Sequence, residues 1–260
     1  MTDDQLLEFA NQLADAAAEV VLPHFRSALA VENKAGPAAF DPVTIADRDA
    51  ETAMRALITR HHPDHGILGE EHGIRRGTSD LTWVLDPIDG TRGFMCGLTT
   101  WGTLIGVRRG DRPVAGVMSQ PYVGERFLGG AGRAELVTRD GRRTRLSTRA
   151  CASLETAVLS TTSPEAFSPE ELPAFDRVRA RARLTRYGGD CYAYCLVAAG
   201  LIDLVVESNL KPYDIVALIP LIEAAGGVVT TWDGGPAHEG GRIIAAGDRA
   251  LHAAVLPLLQ

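Results

Sequence analysis

Leu6, Phe9, Leu13, Ala17 and Val20 recur at three- and four-residue intervals among polar neighbours, the period of one face of an α-helix. The pattern predicts an amphipathic helix from Thr2 to about Arg26, opened by a capping box in which Thr2 and Gln5 each bond the other's backbone amide. A second helical pattern runs from about Thr44 to His61, with Met54, Leu57 and Ile58 on its apolar face and Pro63 beyond its end. Asp47 falls in its first turn, where the helix dipole favours a carboxylate. Between the two helices, Asn33 to Pro42 reads as a turn-rich passage.

The apolar runs then shorten and end in polar loops. Gly66-Ile67-Leu68-Gly69 stands before Glu70-Glu71, and Thr82-Trp83-Val84-Leu85 before Asp86, as buried strands that deliver carboxylates at their ends. From Gly102 to Leu146, β-type runs (Leu104 to Val107, Pro113 to Met118, Arg126 to Leu128, Glu135 to Val137) alternate with Gly and Asp turns, which predicts an antiparallel meander. Gly129-Gly130-Ala131-Gly132 lacks GxGxxG spacing and precedes a β-like run, so it reads as a hairpin turn rather than a nucleotide loop. From about Leu154 the rhythm becomes strand then helix: a strand at Val158 to Ser160, a helix near Pro169 to Ala182, a helix opening at Gly188-Gly189, a strand at Leu204 to Val206 and a helix from Asp214 to Ala225. The expected class is therefore α/β (α+β): a single unit spanning 1–260, with an α+β half of about 1–150 and an α/β half of about 151–260. Ser163 to Pro173 is the candidate mobile segment.

Charge narrows the partners. With 26 basic and 33 acidic residues the formal charge is −7, and even the densest basic cluster, Arg139, Arg142, Arg143 and Arg145, offers no extended polyanion-binding face. Nucleic acid is not expected as a partner. A phosphate site on a negative body needs a local source of positive charge, such as bound metal. The acidic Met1 to Gln5 start and the lack of an apolar run of about 18 residues predict neither secretion nor a membrane span, and cytoplasmic residence is the expectation. Cys96, Cys151, Cys191 and Cys195 show no disulfide framework and read as buried, reduced thiols. His61, His62, His65 and His72 fall at a helix end and in a loop, with no spaced partner to complete a zinc site.

The candidate chemistry lies in Asp86-Pro87-Ile88-Asp89-Gly90-Thr91. Pro87 fixes its own φ and disfavours helix at Asp86, so Asp86 and Asp89 should share a rigid turn after a strand. Glu70, Glu71 and Asp214 bring the candidates for one pocket to five carboxylates. Taken singly these are ordinary turn or surface acids. Two bare carboxylates about 4 Å apart repel by about 4 kcal/mol at an effective dielectric near 20, so a pocket that gathers them must take up protons or cations. Hard oxygen ligands without His or Cys favour Mg²⁺, with Mn²⁺ as the alternative. Gly90 and Thr91 can present backbone amides to phosphate oxygens, and the Thr91 hydroxyl can orient a metal-bound water with Asp47 as its partner.

Glu70-Glu71, the run from Trp83 to Thr91, and Tyr213-Asp214 through Glu223-Ala224-Ala225-Gly226-Gly227 together resemble the signatures of the inositol monophosphatase family, and Val43-Thr44-Ile45-Ala46-Asp47 is similar to its early motif. The resemblance covers nearly the whole chain. It implies a layered α/β/α/β/α fold and a Mg²⁺-dependent, often lithium-sensitive phosphatase that is usually a homodimer. Carried over by position, it makes Glu70, Asp86 and the carbonyl of Ile88 ligands of one metal, and Asp86, Asp89 and Asp214 ligands of a second. Ions about 3.5–4 Å apart suit in-line displacement at phosphorus. Glu70 and the Asp47–Thr91 pair would orient or deprotonate the attacking water, and Glu71 would support these ligands or hold a third, weaker ion. Arg92-Gly93 departs from the family's commoner wording and bears on local loop contacts.

Arg186 to Tyr194 stands where family members line the alcohol end of the substrate. With Pro63 to Gly73 it is similar to the histidinol-phosphate phosphatase branch. The implied substrate contacts are Arg186, Gly188, Gly189, Asp190, Glu207 and Asp214. Histidinol phosphate carries an ammonium and an imidazole, which suits a pocket adding Asp190 and Glu207 to the metal ligands. Asp190 equally suits a helix N-cap, and Arg186 a structural ion pair. The expected activity is hydrolysis of L-histidinol phosphate in histidine biosynthesis. Its alternatives are an inositol monophosphatase, another small sugar or nucleotide phosphatase, and a metal- or phosphate-binding regulator without turnover; the intact acids and Thr91 argue against the last.

Overall fold

The computed structural model describes residues 1–28, 31–33 and 42–260. Helix α1 (Asp3–Val21) opens on the expected capping box between Thr2 and Gln5 and ends at Val21, the chain continuing toward Arg26 in turns. Strand β1 (Val31–Asn33) pairs antiparallel with β2 (Pro42–Thr44). The passage between them, 34–41, lies outside the described residues. In α2 (Ile45–His61), capped by Thr44, the buried Asp47 carboxylate accepts the Thr44 amide at 2.9 Å and its hydroxyl at 2.5 Å.

An eight-stranded sheet follows. β3 (Gly66–Gly69) runs parallel to β5 (Leu81–Asp89), and β4 (Gly73–Arg75) turns back on β3. After the short helix α3 (Thr91–Met95) comes the expected meander of β6 (Gly102–Arg109), β7 (Arg112–Gln120), β8 (Glu125–Gly130), β9 (Arg133–Thr138) and β10 (Arg143–Arg145). The order across the sheet is β10-β9-β8-β7-β6-β5-β3-β4.

The remaining chain builds a five-stranded sheet and its helices: β11 (Val158–Thr161), α4 (Leu172–Arg179), β12 (Leu184–Tyr187), α5 (Asp190–Ala198), β13 (Leu204–Leu210), α6 (Pro212–Ile215), α7 (Leu218–Ala224), β14 (Val228–Thr231), β15 (Gly241–Ala246) and α8 (Arg249–Val255). Its order is β12-β11-β13-β15-β14, with β11 parallel to β12 and β13, and β15 antiparallel to β13 and β14. The helix expected from Pro169 starts only at Leu172, because the Pro173 ring would clash with the carbonyl four residues back if a helix ran through both prolines. The helix expected from Asp214 to Ala225 starts earlier, at Pro212, and breaks at Val216-Ala217. Pro220 has no N–H for the Val216 carbonyl, which ends the first helix and starts the second.

Alternation along the strands sorts the core into layers. Ile105, Val107, Ala115 and Val117 face α1 and α2, while Leu104 and Met118 on the same strands face α5 and α7. Val205 and Ala245 join that middle core, while Leu204, Val206, Ile244 and Ala246 face outward to α4 and α8. Helices, sheet, helices, sheet, helices is the layered arrangement expected. Gly106, Gly116 and Gly129 stand side by side across β6, β7 and β8. A Cβ on Gly116 would overlap the carbonyl oxygen of Ala217, and one on Gly129 the backbone of Leu221. The α6–α7 junction therefore lies backbone against backbone on the sheet, which fixes how far Asp214 stands from the end of β5.

Candidate functional site

The β5–β6 ladder shifts register between Asp86 and Asp89, where Pro87 has no N–H to contribute. The Asp86 carboxylate accepts the Ile88 amide at 3.0 Å, and the Pro87 carbonyl accepts the Thr103 hydroxyl at 2.8 Å. This bulge turns both acids toward the end of the strand. Gly90, at φ 82°, then opens α3, and the Thr91 hydroxyl donates to the Ile88 carbonyl at 3.0 Å. A carbonyl has two lone pairs, so that bond leaves one for a cation.

Asp214 enters from α6, its carboxylate accepting the Lys211 amide at 2.6 Å. Asp86, Asp89 and Asp214 each offer a carboxylate oxygen, all within 4.8 Å of one another. Glu70 follows β3, with its amide donating to the Leu85 carbonyl at 3.2 Å. Burial, and then the charges of Glu70, Asp89, Asp214 and Asp47, push the Asp86 carboxyl well above the usual range. Burial does the same at Asp89, with Asp190 and Asp214 adding to it and the Cys191 amide, 2.7 Å away, opposing. Burial pushes Asp214 up to about 7, against the pull of the Lys211 amide. The carboxyls of Glu70, Asp86, Asp89 and Asp214 thus act on one another as one electrostatic cluster, and burial with mutual repulsion favours taking up a cation or a proton among them. The donors are all hard oxygens, which fits Mg²⁺ or Mn²⁺.

Beside the cluster lies a cavity of about 180 Å³, walled by Asp89, Thr162, Asp190, Tyr194, Glu207 and Asp214 among others. Gly189 takes the cap position of α5, and Asp190 is its first helical residue, at a φ of 43° that a non-glycine residue rarely adopts. This corrects the N-cap expectation for Asp190. Its side chain lies against Gly90, where an added Cβ would stand 3.1 Å from both its Cβ and its Cγ. Burial raises Asp190 to about 6, and the Arg92 guanidinium opposes. Glu207 lies buried on β13 and accepts the Thr162 amide (2.8 Å), the Thr162 hydroxyl (2.6 Å) and the Tyr194 hydroxyl (2.9 Å). Burial nevertheless carries it to about 7.

Arg186 sits exposed on the edge strand β12 and, like Gly188 and Gly189, is not among the residues lining this cavity. Gly188 instead donates its amide to the Thr162 carbonyl at 2.9 Å. The four histidines stay apart from the cluster: His62 and His65 stack at 4.7 Å, and His72 Nε2 lies 3.1 Å from the Thr52 hydroxyl. Glu51 is absent from the sequence expectations. It lies wholly buried on α2 and accepts the amides of Glu71 and His72 at 2.7 and 3.2 Å. Its signal was available: Asp47, Glu51, Met54 and Ile58 share helical spacing, which puts an acid on an apolar face.

The model of the inositol monophosphatase family matches residues 2–260. The chain is 42% identical over 279 residues to the chloroplastic bifunctional phosphatase IMPL2 of Arabidopsis thaliana, which covers 100% of this chain and 77% of that protein. It is 35% identical over 261 residues to the histidinol-phosphatase of Mycobacterium tuberculosis, with 99% and 98% covered. A solved structure of an inositol monophosphatase from Zymomonas mobilis, 40% identical, matches 100% of this chain and 99% of its own with a TM-score of 0.84. Sequence along the whole length, the five layers and an acidic cluster at the end of β5 lead to one conclusion: the chain belongs to the inositol monophosphatase family and is a phosphatase of that family's fold.

Proposed function

We propose that this phosphatase hydrolyses L-histidinol phosphate to L-histidinol and phosphate, with Mg²⁺ held by Glu70, Asp86, the Ile88 carbonyl, Asp89 and Asp214. One observation carries the reading: three carboxylate oxygens converge within 4.8 Å at a cavity whose far wall adds two more acids, Asp190 and Glu207. A neutral polyol gains little from such a wall. An ammonium beside Asp190 gains a charge-assisted hydrogen bond. The 35% identity to a histidinol-phosphatase supports the same choice.

Divalent cations bound there supply Lewis acidity toward the phosphoryl oxygens and lower the pKa of a bound water. The protein's groups do the rest. Thr91, donating to the Ile88 carbonyl, keeps its oxygen lone pairs free to accept from a water, and Glu70 is the base that takes that water's proton. The amides of Gly90 and Thr91 at the start of α3 face phosphate oxygens. Glu207 spends three of its acceptor sites on Thr162 and Tyr194, so it shapes the wall, and Asp190 is the acid left to meet a cationic substrate.

Inositol monophosphate is the second reading, favoured by the 40% identity to the Zymomonas mobilis enzyme. Phosphate release from a panel of monoesters with Mg²⁺ separates them. Histidinol phosphate is expected to give the highest kcat/KM; efficient turnover of inositol 1-phosphate with none of histidinol phosphate would overturn the assignment.

A further inference from the structure

Glu51 is a charged side chain with no exposed surface on the core face of α2. Burying a carboxylate costs several kcal/mol unless its oxygens are satisfied, and a well-packed apolar residue often serves stability as well as a buried ion pair does. What distinguishes Glu51 is where its bonds go. Oε2 accepts the Glu71 amide at 2.7 Å, and Oε1 accepts the His72 amide at 3.2 Å and Arg55 Nε at 2.6 Å. Arg55, one helical turn on, also donates to the Gly73 carbonyl. Residues 70–72 form the turn between β3 and β4, in which Gly69 pairs with Gly73. Glu51 therefore fills the inside of that hairpin turn. A Cβ on Gly69 would overlap the Glu51 carboxylate, so strand and acid fit only because that position is glycine.

Glu70 is held from both sides as a result. Its own amide is tied to the Leu85 carbonyl of β5, and the next two amides are tied to Glu51. Asp47, one turn before Glu51 on the same helix, adds its charge to Asp86. α2 thus carries two buried acids, Asp47 closing the cap at Thr44 and Glu51 under the turn that carries Glu70.

We propose that Glu51, neutralised by Arg55, is a positioning residue: it fixes the turn at 70–72 so that Glu70 meets the Asp86 cluster in one orientation before any cation arrives. This rests on the reading of Glu70 as ligand and base. Residues that orient metal ligands from behind typically change metal affinity or activity by about 10–100-fold when altered. Glu51→Gln keeps the shape and one acceptor but turns an NH₂ toward an amide or toward Arg55. It is expected to lower kcat at least about tenfold with KM within about twofold, and to weaken Mn²⁺ binding by about tenfold in calorimetry. Amide exchange at Glu71 and His72, in the β3–β4 turn, should accelerate while α2 stays protected. Glu51→Asp restores the charge without the reach and should recover only part of each effect. If Glu51→Gln fails to fold, the paired Glu51→Gln/Arg55→Met variant removes the stranded cation and takes its place.

Fast exchange at Glu71 and His72 with kcat and Mn²⁺ affinity both within twofold of wild type overturns the assignment, as does unchanged protection of those amides. If the wild type binds Mn²⁺ but cleaves no phosphomonoester, the hydrolytic reading fails alone, and Mn²⁺ affinity with exchange still decides the role of Glu51. A wild type that takes up no Mn²⁺ overturns both.

Discussion

Asp86, Asp89 and Asp214 are carried on a bulged strand end and a helix start seated against a row of glycines, and backbone amides grip each of their carboxylates. The far side of the same cavity has another construction: Asp190 stands at a strained φ on the first residue of a helix, and Glu207 is tied through side chains to Thr162 and Tyr194. On the proposed function, chemistry common to all phosphomonoesters falls to the first side and the choice among alcohols to the second, which a helix start and an inner strand supply. Geometry to a fraction of an ångström matters for the first. The second needs only a charge of the right sign within reach.

The contrast is tested most severely by Asp89→Asn, which removes a cation ligand while an amide oxygen can still accept from Cys191. Hydrolysis should fall at least about 10³-fold, roughly 4 kcal/mol of transition-state stabilisation, with the far-UV spectrum unchanged. Near-normal rates would refute the two-cation site. Gly116→Ala should cost about 3 kcal/mol or more in chemical denaturation, because the added methyl meets the Ala217 carbonyl and no flexible side chain can yield. Divalent-cation affinity should fall with it as Asp214 moves.

On the other side of the cavity, Asp190→Asn should raise KM for histidinol phosphate about tenfold and leave an uncharged sugar phosphate within about twofold, the scale of one charge-assisted bond at a half-buried site. Equal losses on both substrates would make Asp190 structural. The acids also predict a pH dependence. Asp190 at about 6 and Glu207 and Asp214 at about 7 keep protons that an unfolded chain, with carboxyls near 4, has already released. The folded state binds more protons between those limits, so in a chelator the thermal midpoint should drop as pH rises from about 4 to about 7, and Mg²⁺ should raise it more at pH 7.5 than at pH 5. Arg186→Ala should change kcat/KM by less than about twofold; a tenfold loss would bring its edge strand into the site after all.

Much of the first side could be read in advance because its signals are local. A proline between two acids, an apolar run before them and a capping pattern at Thr44 each act over a few residues, and Asp86, Asp89 and α2 stand where those rules put them. Asp214 stood among the five candidate carboxylates, but its pairing with Asp86 and Asp89 needed the family's wording, since nothing near it in the chain says that it meets them. What escaped notice depended on neighbours far along the chain. Gly106, Gly116 and Gly129 read as ordinary strand or turn glycines until a helix junction is laid across them. The spacing of Glu51 with Met54 and Ile58 marks an acid on an apolar face, but which groups it holds depends on the amides of Glu71 and His72, 20 and 21 residues on. β14 and β15 are short and carry apolar residues on both faces, so no simple period announces them.

The glycine row also bears on how such a protein can change over evolutionary time. With the α6–α7 junction resting on bare backbone, no residue at those three positions can grow without shifting an acid, so this face offers selection almost no variation to work on. New specificities have to be written on the other wall of the cavity, at positions such as Thr162 and Ala166, which lie apart from the glycine row. A lineage could in this way pass from one phosphorylated alcohol to another through a handful of substitutions there, each leaving a folded, cation-binding protein as the next starting point.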